Sequence, residues 1–68
     1  MLVEISDNNA TYHVHPNHIM YVRNMTVNGG QVPDRCIVIL SNGHKITANK
    51  GVLYIKTAWE NALEDLNS

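Results

Sequence analysis

A chain of 68 residues allows one domain, and one that buries only about 60% of the surface its unfolded form exposes. Five Lys or Arg stand against six Asp or Glu, a formal net charge of −1, so the basic surplus usual in phosphate-led nucleic-acid binding is missing. A hydrophobic fraction of 44% with 16% charged residues excludes a disordered chain, and no apolar run approaches the roughly 20 residues that cross a bilayer.

In chain order, residues 2–6 alternate as a strand, with Val3 and Ile5 on one face and Leu2 and Glu4 on the other. Asp7-Asn8-Asn9 is a turn, since Asn and Asp bond their own backbone and tolerate positive φ. Residues 10–15 return as a strand, with Tyr12 and Val14 opposite Thr11, His13 and His15. Pro16-Asn17-His18 turns the chain. A third strand over 19–27 sets Ile19 and Tyr21 against Met20 and Val22. From Met25, where that strand can give way, an expected loop of roughly ten residues carries the Asn28-Gly29-Gly30 turn signal and is closed by Pro33-Asp34.

The next strand, 35–41, carries Cys36-Ile37-Val38-Ile39-Leu40, apolar on both faces as in a strand covered on both sides. Asn42-Gly43 is the signature of a two-residue type I′ hairpin, leading into a strand over 44–48. From Asn49, the expected N-cap, the period changes. Val52, Ile55, Trp59, Ala62, Leu63 and Leu66 form the apolar stripe of a helix over about 50–66. The expected fold is α+β: an antiparallel β-meander of four to five strands packed against one C-terminal α-helix. One helix covers one sheet face, so the apolar residues of the other face need a curled sheet, a partner or a second copy of the chain. A homo-oligomer is the expectation.

Candidate chemistry is sparse. His13, His15 and His18 are the only histidine cluster; three neutral imidazoles are a zinc-ligand set, but no carboxylate or cysteine stands beside them, so no metal is expected. Arg35 and Lys45 flank the Asn42-Gly43 hairpin and, with Tyr12 or Tyr21, would form a small basic and aromatic platform suited to nucleotides or single strands. Cys36 reads as a buried small hydrophobe rather than a nucleophile. No glycine-rich phosphate loop and no paired carboxylates occur, so neither an enzyme nor a cofactor is expected. A single cysteine and the absence of a basic, then apolar, leader point to the cytoplasm.

The order of features, a hairpin, His15-Pro16-Asn17-His18-Ile19, a strand, Ile37-Val38-Ile39-Leu40-Ser41-Asn42-Gly43-His44-Lys45-Ile46, then a helix with Val52 and Ile55, resembles the small FlbD-like (SwrD-like) flagellar proteins from about Ile5 to Leu66. It is also similar to the sheet core of LytTR-type DNA-binding domains. The segment from Met25 to Asp34 is longer than the FlbD-like family shows, and the basic residues of a LytTR domain are missing. The resemblance implies a fold and a regulatory role, with no catalytic residue. Small virus-encoded inhibitors of host factors share this size and pattern. The leading expectation is a non-enzymatic, oligomeric interaction module that modulates a partner protein. A small-ligand or nucleotide-binding protein with sites between subunits is second, and a DNA-binding regulator third.

Overall fold

The computed structural model describes residues 1–67. Five strands precede one helix: β1 (Val3–Ser6), β2 (Thr11–Val14), a 3-10 turn (Pro16–His18), β3 (Ile19–Val27), β4 (Gly30–Leu40), β5 (Lys45–Ala48) and α1 (Val52–Leu66). The α+β class and the C-terminal helix agree with the sequence. A single continuous meander does not form. The strands make two antiparallel sheets, β1-β2 and β3-β4-β5.

The break lies at Pro16. His15 is extended ahead of the proline and caps the 3-10 turn, whose Pro16 ring is buried. That turn redirects the chain so that β3 pairs with β4 and leaves β2 behind. The two sheets meet where Asn49 donates its N–H to the Ser6 carbonyl at 2.8 Å. Val3 and Ile5 from β1, Ile19 from β3, Cys36 and Val38 from β4, Ala48 from β5, and Ile55 and Ala62 from α1 form one core. The helix and the β1-β2 hairpin thus enclose the inner face of the three-stranded sheet.

Two turns differ from the sequence expectation. Asn28 and Gly29 have φ of 53° and 81°, and Val27 pairs with Gly30, so the primed two-residue turn is here. At Asn42-Gly43 only the glycine has positive φ (90°). Gly43 N–H donates to the Leu40 carbonyl at 3.0 Å, and Leu40 N–H to the His44 carbonyl at 2.8 Å. Ser41-Asn42-Gly43 is therefore a three-residue loop ending in a left-handed glycine.

The expected loop between Met25 and Asp34 is instead the distal part of a long β3-β4 hairpin. Asn24 pairs with Cys36 and Met25 with Val32, so Pro33, Asp34 and Arg35 form a bulge. A bulge is where a strand accepts proline, which has no N–H for the ladder. β4 consequently starts at Gly30, well before the expected residue 35. Beyond the bulge the hairpin projects as an arm, and the molecule measures 41 × 20 × 19 Å.

A second bulge, at Met20, changes which residues face inward. Ile19 pairs with Leu40, but Tyr21 pairs with Ile39, leaving Met20 unopposed. Ile19 and Val22 therefore share the core side, and Tyr21 turns outward. A strict alternation would have put Ile19 with Tyr21.

The helix starts at Val52, with Gly51 rather than Asn49 as N-cap and no side-chain bond to the first turn. Gly51 is required by space. A Cβ there would lie 2.5 Å from the Pro33 carbonyl oxygen, while its φ of −71° suits any residue. Gly51→Ala is expected to destabilise the domain by about 1–3 kcal/mol, the usual overpacking range, because the obstacle is backbone. A urea midpoint equal to wild type would show that the Pro33 bulge yields without strain.

Candidate functional site

The histidines come from the β2 end and the turn after it. His13 sits on β2 opposite Glu4, on the exposed side of the hairpin. His15 and His18 bracket the 3-10 turn, with ring centroids 5.4 Å apart and tilted by 43°. All three line a shallow hollow of about 320 Å³ with Val14, Leu40, Ser41 and Asn42. His15 is fixed in a way that opposes metal binding. Its Nδ1 accepts the Asn17 N–H at 3.2 Å, so the ring proton is left on Nε2, which then has no lone pair for a metal. Among the described residues no group of three or more His, Cys, Asp or Glu is placed to hold a metal ion.

Arg35 and Lys45 do not form a shared platform. Lys45 pairs with Ile39, while Arg35 lies in the bulge before Cys36, at the other end of the β4-β5 ladder. Four strand residues separate these levels, about 13 Å at the rise of an extended chain. Arg35 lines a hollow with Asp7, Asn8, Asn9 and Thr47. Lys45 lines another with Tyr12, Asn42 and His44. Beside Arg35, the Asp7-Asn8-Asn9 turn closes as expected: Asn9 and Ala10 donate backbone N–H to Asp7 Oδ1 at 2.7 Å each. Those two bonds hold the Asp7 carboxyl below the usual aspartate range.

Cys36 is fully buried, and burial pushes its thiol up, away from the thiolate a nucleophile needs. Further along β4, Ile39 is only 5% exposed although it lies on the outer pleat. It is flanked by its cross-strand neighbours Tyr21 and Lys45.

The largest exposed apolar groups lie elsewhere. Leu53 is 79% and Tyr54 60% exposed on the outer side of α1. With Thr57, Ala58 and Asn61 they line an open groove of about 520 Å³. Next to it Met1 and Leu2, also exposed, join Tyr54 and Ala58 around a second hollow of about 350 Å³. The Lys50 ammonium lies 5.4 Å from the Tyr54 ring centroid, a cation–π contact that orients the ring. Asp65 accepts from the Met1 ammonium at 3.0 Å and ties Met1 to the C-terminal end of α1. The signal for this patch was in the sequence: Val52-Leu53-Tyr54-Ile55 is a run of consecutive apolar residues, and one helix face cannot bury all of them. No helix among the described residues is long and apolar enough to cross a membrane. No family model, curated protein or solved structure matches the chain.

Proposed function

We propose that this domain is a non-enzymatic interaction module that assembles with itself and modulates a partner protein. The observation that carries the reading is the exposed Leu53 and Tyr54 pair beside Met1 and Leu2. Side chains of this size left open on adjoining elements, with polar Thr57 and Asn61 at the rim, have the make-up of a protein-docking patch. Tyrosine supplies large contact area at low entropy cost, and Lys50 already limits its motion. A regulatory role in the cytoplasm, of the FlbD-like or host-factor-inhibitor kind, belongs to the same proposal. Metal, cofactor and covalent chemistry have no part in it. The small-ligand reading is weaker because His13, His15 and His18 line an open hollow, and the basic groups are dispersed. The DNA-binding reading is weaker for the same dispersal and for the net charge of −1.

The test is quantitative affinity capture from host lysate with wild type and with Leu53→Asp/Tyr54→Asp. Both side chains are exposed, so the variant is expected to melt within a few degrees of wild type. At least one protein captured by wild type is expected to fall about tenfold or more with the variant, as for loss of an interface hot spot. Identical captures would sink the docking reading.

A further inference from the structure

We infer that a second copy of this chain pairs with the free edge of β3, so that two three-stranded sheets become one across a two-fold axis. The inference rests on the self-assembly half of the proposed function and specifies how it is built.

In the sheet order β3-β4-β5, β3 has a neighbour on one side only. It is 9 residues long, and among the described residues no backbone group from Met20 to Val27 bonds to anything beyond its own sheet. A long open edge offers alternate unpaired N–H and C=O groups, which an extended backbone satisfies. In the other sheet, β2 is short by comparison, at 4 residues. β5 is closed at one end by β1, through Asn49 and Ser6.

The side chains say which extended backbone fits. The regular part of β3 lies between the Met20 bulge and the shift after Asn24, and Val22 sits near its middle. An antiparallel pairing with a two-fold axis at Val22 sets Val22 against Val22 of the second copy. Val22 is half-buried and already packs against the core, so this contact extends the core across the axis. The same register sets Tyr21 against Arg23 of the second copy, and the symmetry does so twice. Both groups are exposed on the outer face, where the guanidinium meets a ring. Moving the axis to Arg23 would oppose two guanidinium groups, which is unfavourable. β3 is thus complementary to itself about Val22, the requirement of an isologous dimer. A small domain whose single cysteine permits no internal disulfide also has most to gain from a partner subunit.

The experiment is sedimentation equilibrium of the full chain with three variants. Wild type is expected to be dimeric at micromolar concentration. Tyr21→Arg places like charges opposite each other twice and is expected to raise the dimer Kd about tenfold or more. Adding Arg23→Glu to that variant creates two opposite-charge pairs and is expected to restore the Kd to within about threefold of wild type. Leu53→Asp/Tyr54→Asp is expected to leave the dimer intact. Circular dichroism checks that each variant is folded, since positions 21 and 23 are exposed. A dimer that ignores both β3 variants, or one broken by the helix variant instead, overturns the edge pairing while self-assembly stands. A wild-type monomer at several hundred micromolar overturns both.

Discussion

Replacing Trp59 with alanine is expected to unfold the domain at room temperature. The indole packs on the core from α1 and is partly buried. Its Nε1–H donates to the Pro16 carbonyl at 2.9 Å, joining the helix to the turn that divides the two sheets. Deleting a core tryptophan costs about 3–5 kcal/mol, and a single core of this size rarely supplies more than that. Loss of far-UV helical signal without denaturant is the expected result. Trp59→Phe separates the two contributions. It keeps most of the ring and leaves the Pro16 carbonyl without its donor, at about 1 kcal/mol. A Trp59→Ala variant with a normal urea midpoint would mean that α1 docks by other contacts.

The second large effect is at Ile55. Its side chain is fully buried in the core that α1 shares with β1, β3 and β4. Ile55→Ala is expected to cost about 2–5 kcal/mol, through lost transfer energy and a residual cavity. Ile55→Val, at about 0.5–1.5 kcal/mol, keeps the loss measurable in a marginal protein. Leu53→Ala is the control: two positions away but 79% exposed, it is expected to stay within about 0.5 kcal/mol of wild type. Urea titrations of all three give the comparison. Equal midpoints for Ile55→Ala and Leu53→Ala would mean that the buried stripe of the helix is wrongly oriented.

Most of that stripe was legible because helical periodicity is a local signal: Ile55 and Ala62 are buried where the spacing placed them, while Leu66, at the end of the helix, is 41% exposed. The β1-β2 hairpin was legible too, since alternation and an Asp-Asn-Asn turn are enough to define it. The remainder depended on events that periodicity does not record. Pro33-Asp34 reads as loop, yet a bulge lets both sit inside β4. The extra residue at Met20 reverses the faces of β3, and no residue type announces it. Asn49 has the residue type of an N-cap, whereas the reason for glycine at the true cap, Gly51, lies in distant backbone at Pro33. The division into two sheets follows from where the Pro16 turn sends the chain, a matter of tertiary direction. Among the candidate site residues, His13, His15 and His18 came together because they are close in sequence. Arg35 and Lys45, judged by proximity to one hairpin, were separated by the length of the ladder between them.

The buried Cys36 has a practical consequence. Its sulfur has no solvent contact and stays protonated, so an alkylating or disulfide reagent reaches it only when β4 leaves the core. Since β4 is the central strand of its sheet, that opening amounts to unfolding of the whole domain. The rate at which the single thiol is modified under native conditions is therefore a built-in gauge of how often the molecule comes apart, readable at one atom without denaturant.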